Sequence, residues 1–296
     1  MQARLKALAL ATLALPFVPS AAHAAESYDN CTGFIDALPA VITTQGTWCL
    51  RKDLSTALSS GNAITINTNN VTIDCNDFKI GGLAAGLATQ ANGIAAQERQ
   101  NIAVRNCNVR GFYTGIWLQG AFGGGHVVER NRLSGNTTVG IYVEGDGSTV
   151  EHNWVLDTGG ANPGNGNSIL GIGGVGSVDV IDNLVAGVAS ANGTGQWATG
   201  IGVQNGVGAS ATIRGNRVRG LFPDGSGLGV GIVSGDGFAV ISDNQVEGRG
   251  HAFETAIYCN ADDASIYRGN SITGFGITTQ RCVDGGGNVA IPVPAP

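Results

Sequence analysis

The sequence predicts an all-β chain wound into a single parallel β-helix solenoid of about eight to nine coils. Three observations carry this. Two short phrases recur in alternation, one Gly-Ile and the other apolar-x-apolar-x-x-Asn-x-apolar. Glycine is dense, at 48 of 296 residues, without a collagen period, which requires many tight turns. No repeat unit holds a helix-length amphipathic pattern, which weighs against leucine-rich, ankyrin and tetratricopeptide arrays.

The chain opens with a predicted export signal, residues 1–24. "MQARLK" is a short basic start, "ALALATLALPFV" an apolar run too short to span a bilayer, and "AHA" a small-x-small cleavage site. A secreted or periplasmic location follows as the expectation. The whole chain has formal charge −6; loss of Arg4 and Lys6 with the signal leaves −8. Lys52 and Lys79 are the remaining lysines, so neither nucleic acid nor an anionic membrane is an expected partner. No other segment is long and apolar enough for a membrane span.

Residues 25–61 lack the repeat. "CTGFIDALPAVI" and "DLSTALSS" suggest short helical turns, and the segment is expected to cap the open end of the core. Residues 62–290 carry the coils, and 291–296, "IPVPAP", form a proline-rich tail.

The Gly-Ile phrase recurs from Gly93-Ile94 to Gly276-Ile277, with Ala256-Ile257 as a variant, at spacings of 20 to 31 residues. The second phrase supplies Asn131, Asn153, Asn183, Asn216, Asn244 and Asn270, with Asn76 and Cys107 as earlier counterparts. Each unit holds two strand-like pieces with period-2 alternation of Ile and Val. Stacking such units at about 4.8 Å buries the inward aliphatics in a continuous core. The recurrent Asn then forms a ladder of side-chain amides, at a turn whose left-handed backbone Asn tolerates.

These residues, over roughly 64–288, resemble the right-handed parallel β-helix repeats of the pectin-lyase-like superfamily. The resemblance implies the handedness of the coil. It implies less about activity, because that superfamily hosts pectate lyases, polygalacturonases, alginate lyases and epimerases, and phage tailspikes. Cys75 and Cys107 sit in neighbouring coils at almost the same phrase position, and Cys259 and Cys282 are one coil apart. Pairing by adjacency gives Cys75–Cys107 and Cys259–Cys282, and elimination gives Cys31–Cys49. No Cys-x-x-Cys occurs to favour zinc, and no metal ligands are assigned.

In each Gly-Ile phrase Ile points inward and the next residue outward. One outward column reads Ala95, Trp117, Tyr142, Gly173, Gly202, Val233, Tyr258 and Thr278. The next reads Gln97, Gln119, Glu144, Val175, Gln204, Gly235, Asn260 and Gln280. Trp117 and Tyr142 are expected to stack, beside a glycine floor at Gly173 and Gly202. Loops carrying Trp197 and Phe222 are expected to rim it. Such a groove suits a polysaccharide, whose apolar ring faces stack on aromatics while Gln119, Glu144, Gln204 and Tyr258 take hydroxyls. His152 precedes the ladder Asn in a variable turn slot and reads as a surface residue.

Candidate acids for catalysis are Glu144, Asp146, Asp236 and Asp262. Asp236 and Asp262 close adjacent coils, within the about 5 to 9.5 Å that glycoside hydrolysis needs. No cofactor is expected; Ca²⁺ enters only for a lyase. The polygalacturonase motifs are reduced to Asp262-Asp263 and Gly250-His251, and the epimerase and pectate lyase signatures are absent. The first expectation is therefore an exported protein that binds, and processes if catalytic, a polysaccharide. A lyase or hydrolase acting on uronate-type glycans is the second. A non-catalytic surface, adhesion or envelope protein is the third. The acidic charge disfavours a polyanionic glycan unless Ca²⁺ bridges it.

Overall fold

Short aliphatic strands, many of them followed by a residue with positive φ, most often Gly, Asn or Asp, wind the chain into a three-faced coil. The computed structural model describes residues 28–160, 168–191, 195–206, 208–260, 264–291 and 293. One rung runs from Asn62–Ile66 through Val71–Asp74 to Lys79–Gly81 before Asn92–Gln97 begins the next. We name the three sides the Gly-Ile face, the ladder face and the third face. All strand pairings are parallel, coil to coil: Asn92–Gln97 pairs Thr114–Gln119, which pairs Val139–Glu144, then Ile169–Val175 and Ala198–Gln204. The ladder face is a sheet of 11 strands. The other two faces are counted as one sheet because Gln245–Cys259 and Ser271–Gln280 run continuously round their shared corner.

Each face contributes one inward row. On the Gly-Ile face Ile94, Ile116, Ile141, Ile172, Ile201 and Ile232 are fully buried. Val104, Val128, Val150 and Val180 answer them from the ladder face, and Val109, Leu133, Val155 and Val185 from the third. Gly of the Gly-Ile phrase sits where two faces close on each other. At Gly200 a Cβ would lie 2.6 Å from the Gly231 carbonyl oxygen and would also strike Val218. Close approach, not turn geometry, fixes this glycine.

The ladder forms. Nδ2 of Asn131 donates to Oδ1 of Asn153, and the same 3.0 Å bond links Asn153 to Asn183, Asn183 to Asn216, Asn216 to Asn244, and Asn244 to Asn270. Asn270 extends it to Asn288, also at 3.0 Å. Two details differ from expectation. The left-handed residue is the one before the ladder Asn, as at Arg130, His152, Asp182 and Asp243, so each Asn itself faces inward. Asn76 is outside the ladder, because extra residues between Asp74 and Lys79 displace it; its amide donates to the Leu50 carbonyl at 3.1 Å.

The three disulfides are Cys31–Cys49, Cys75–Cys107 and Cys259–Cys282, with Cα separations of 5.8, 4.7 and 5.2 Å. In the segment expected to cap the stack, Ala40–Ile42, Gly46–Cys49 and Leu54–Ser55 are strands, not helical turns. They pair with Asn62–Ile66, Val71–Asp74 and Lys79–Gly81 and so form a rung of the coil. At the other end Ile277 pairs with Thr255 and Gln280 with Tyr258, so Gln280, not Thr278, closes the first outward column. Register shifts on either side of His251 absorb the difference and leave Ile277 exposed.

His126 is buried, with Nδ1 accepting the Ile102 N–H at 3.3 Å. Desolvation lowers its pKa to about 4, so it is a neutral core histidine near pH 7. Among the described residues no helix is long and apolar enough to cross a membrane. The signal sequence lies outside the described residues.

Candidate functional site

Because side chains alternate along each strand, the residue after every Gly-Ile faces out, and parallel register stacks these residues in columns. Trp117 pairs with Tyr142, Tyr142 with Gly173, Gly173 with Gly202, Gly202 with Val233, and Val233 with Tyr258. Two residues on, Glu144, Val175, Gln204 and Gly235 are likewise in line.

Where the column passes through two glycines the surface sinks. A depression of about 340 Å³ lies over Gly173 and Gly202, walled by Tyr142, Leu170, Trp197 and Val233. A Cβ at Gly173 would come 3.1 Å from Tyr142 Cδ2, so the tyrosine ring leans over the space the glycine leaves. At Gly202 a Cβ would meet only Leu170 at 3.3 Å and Thr199 at 3.8 Å, leaving this floor position open. Trp197 is 41% exposed at the rim.

A second depression of about 350 Å³ adjoins the first along the same face, and Val175 and Gln204 line both. Its character is opposite. Glu144, Asp146, Asp236 and Asn205 line it, with Gly145 and Gly176 between them. The Asp146 carboxylate accepts the Ser177 N–H at 3.0 Å, and the Asp236 carboxylate accepts the Asn260 amide at 2.7 Å. Asn205 is buried and donates to the Phe238 carbonyl at 2.7 Å, while its Oδ1 has no partner among the described residues. Burial, and after it the Glu144 carboxylate, hold the Tyr142 phenol above its ordinary pKa, so it is a hydroxyl donor at the boundary between the two depressions.

The sequence-predicted residues divide. Tyr142, Gly173, Gly202 and Gln204 line the apolar depression, and Glu144, Asp146, Asp236 and Gln204 the acidic one. Trp117, Gln119 and Tyr258 line neither. Trp117 and Tyr142 are register neighbours but form no ring pair, because Tyr142 turns toward Gly173. Tyr258 instead takes a hydrogen bond from Arg281 Nη1 at 3.2 Å. Phe222 pairs with Ala189 on the third face, under the Arg249 guanidinium at 4.2 Å, and does not rim the groove. Asp262 lies outside the described residues, as do residues 161–167 and 192–194 of the adjacent loops. Leu170 and Val233 complete the apolar walls. The columns already contained Val233; Leu170 carried no signal, since it lies one residue before Gly171-Ile172 in an unremarkable aliphatic run.

His152 is exposed, with its ring nitrogens 3.8 Å from the Glu151 and Asp182 carboxylates, and lies on the ladder-face turn away from both depressions. Among the described residues no three His, Cys, Asp or Glu gather as a metal site.

No curated protein matches the chain. Among solved structures, the Dettilon tailspike protein gp208 aligns at TM-score 0.52 and 15% identity, over 86% of this chain and 59% of the tailspike. The A-module of the Azotobacter vinelandii mannuronan C-5 epimerase AlgE6 aligns at TM-score 0.44 and 12% identity, covering 85% of each chain. A mutant tailspike protein of E. coli bacteriophage HK620, in complex with pentasaccharide, aligns at TM-score 0.44 and 11% identity, over 85% of this chain and 61% of its own. At 15% identity the likeness to gp208 is one of fold alone. The family described as a right handed beta helix region matches residues 42–189, half of the chain, which covers the rungs from Ile42 to Ala189 and the ladder residues Asn131, Asn153 and Asn183. The chain belongs to this right-handed β-helix family.

Proposed function

We propose that the protein binds a polysaccharide along the Gly-Ile face, in the two adjoining depressions, and acts outside the cytoplasm. One observation carries this: an apolar floor with aromatic walls runs directly into a carboxylate- and amide-lined floor, and the two share Val175 and Gln204. A sugar ring has one kind of surface for each. Its C–H face packs on Tyr142 and Trp197 over the glycines, and its hydroxyls reach Gln204, Glu144 and the Tyr142 phenol. Strand pairing fixes the spacing of Tyr142, Glu144, Gln204 and the two glycines, which limits the entropy lost when they take a ligand. The three disulfides support an oxidising compartment.

Catalysis is the second reading, and the gathering of Glu144, Asp146 and Asp236 in one depression favours it. Three register steps separate Glu144 from Gly235, next to Asp236. At about 4.8 Å per step this exceeds the carboxyl separation for direct acid–base hydrolysis. Binding therefore stands first, with these acids as hydroxyl acceptors.

A glycan panel titrated against the purified protein tests the reading. Trp197→Ala should weaken binding of the best glycan by about 1–3 kcal/mol, by analogy with flat ligands stacked on aromatics. Gly202→Val should weaken it as well by filling the floor, and should leave the melting temperature nearly unchanged, since Val233 already occupies the next position of that column. Unchanged affinity in both variants rules the groove out. Reducing-end and unsaturated-product assays on the same panel, with Glu144→Gln and Asp236→Asn as controls, decide whether binding leads to cleavage.

A further inference from the structure

The chain is acidic, with formal charge −6, yet its cations are not evenly spread. The third face collects them. One outward column there runs through Lys79, Asn108, Arg132, Trp154, Leu184 and Arg217. The column beside it carries Arg110 and Arg219, four register steps apart. Arg249 follows on the next coil, over the ring of Phe222.

Elsewhere Arg51 is paired with Asp36, Arg105 with Asp74 and Arg130 with Glu129, each at 2.8 Å. On the third face Lys79 is paired with Asp53 at 3.3 Å. Arg110, Arg132, Arg217, Arg219 and Arg249 are exposed, and none has a salt bridge among the described residues. Besides Asp53, Glu247, the register neighbour of Arg219, and Asp157, just beyond Trp154–Leu156, share the surface. Neither neutralises an arginine at salt-bridge distance. Trp154 is 52% exposed in the middle of the strip, with Arg132 at 5.5 Å from its ring.

Exposed guanidinium groups without carboxylate partners, repeated along one straight axis, give a strip of positive potential that a linear polyanion can follow. Coil spacing sets the scale: Arg132 and Arg217 are three steps apart, about 14 Å, and Arg110 and Arg219 about 19 Å. A single small anion cannot span them; an extended chain with an acidic group every unit or two can. Guanidinium pairs with carboxylate or sulfate in a two-point geometry, and an exposed indole offers a flat surface to a pyranose face. Three disulfides point to an oxidising compartment, where acidic glycans rather than nucleic acids are the common linear polyanions.

We infer that the third face is a second polymer-binding surface, selective for acidic polysaccharide, that holds the chain along the solenoid axis across Arg132, Trp154, Arg217 and Arg219. It lies on a different side of the coil from the groove proposed above and does not depend on it.

The test uses the full exported protein and three probes of matched length: an oligogalacturonate, a neutral dextran and a single-stranded DNA oligonucleotide. The triple variant Arg132→Ala, Arg217→Ala, Arg219→Ala should bind oligogalacturonate about tenfold more weakly or worse, since each exposed charge contact contributes only a modest share. Its affinity for dextran should not change. Raising salt should weaken oligogalacturonate binding to the parent and have much less effect on the triple variant. Trp197→Ala, in the groove, should leave the salt-sensitive component intact, so failure of one site is distinguishable from failure of the other. If the triple variant melts below the parent, Arg132→Gln and Arg217→Gln singly should each show a graded part of the loss. Unchanged oligogalacturonate affinity, or equal loss for dextran, overturns the proposal. So does tighter binding of the oligonucleotide than of oligogalacturonate, which would mark the face as a general polyanion surface.

Discussion

Asn183→Leu should lower stability by several kcal/mol, the largest effect expected of any single substitution in the coil. Asn183 is 2% exposed. Its Nδ2 donates to Asn216 Oδ1 at 3.0 Å and to the Val150 carbonyl at 2.9 Å; its Oδ1 accepts from the Asn153 backbone N–H at 2.8 Å and the Asn153 side-chain amide at 3.0 Å. Leucine fills much of the volume and answers none of these groups. Each buried donor or acceptor left without a partner costs about 1–3 kcal/mol, and the Asn153 N–H is stranded in a residue that is fully buried. Gln245→Leu, an exposed outward position on the third face, should cost less than about 0.5 kcal/mol. Denaturant melts of the two variants make the comparison, and equal midpoints would mean the ladder contributes little.

The second large effect is expected from removing the middle disulfide. Cys75 and Cys107 are buried at the point where the asparagine ladder ends, and the Cys107 N–H donates to Asn131 Oδ1 at 2.9 Å. The bond carries the coil-to-coil connection on past the last asparagine. It closes a separation of 32 residues, for which chain-entropy reasoning gives about 3–4 kcal/mol. The double variant Cys75→Ala, Cys107→Ala should therefore melt well below the parent. Cys31→Ala with Cys49→Ala should melt closer to it, because that bond ties the first rung, and a stacked repeat frays from its ends before it unfolds. Equal losses in the two double variants would show that the first rung is as integral to the cooperative unit as the second and third, which Cys75–Cys107 joins.

Much of the fold was legible because a solenoid repeats its constraints. Each ladder Asn occurs once per coil at the same phrase position, and the outward column from Trp117 to Tyr258 stands in the register that the Gly-Ile spacing predicts. Legibility fails where repetition fails. Gly33–Phe34 and Leu54–Ser55 are too short to show alternation, so the sequence suggests helical turns where the chain forms strands. The pairing of Gln245–Cys259 with Ser271–Gln280 shifts register twice, and the phrase Gly276-Ile277 leads astray there. Within the site, the columns placed Tyr142, Gly173, Gly202 and Gln204, since backbone register decides them. Register does not decide rotamers or loop paths. The turn of Tyr142 away from Trp117 depends on the space Gly173 leaves, and the passage of Phe222 to the third face depends on Leu184–Ala189 and Arg217–Phe222 being longer than the strands before them. Net charge concealed the third face for a similar reason: a sum over the chain carries no information about which column each arginine joins.

The central claim is that the Gly-Ile face holds a sugar chain over the paired glycines. A crystal structure of the protein soaked with the tightest-binding oligosaccharide from the panel tests it most directly. Density for a sugar ring against Tyr142 and Trp197, above Gly173 and Gly202, with hydroxyls at Gln204 and Glu144, is the result expected. Density confined to another face, with both depressions on the Gly-Ile side filled by solvent, would contradict it.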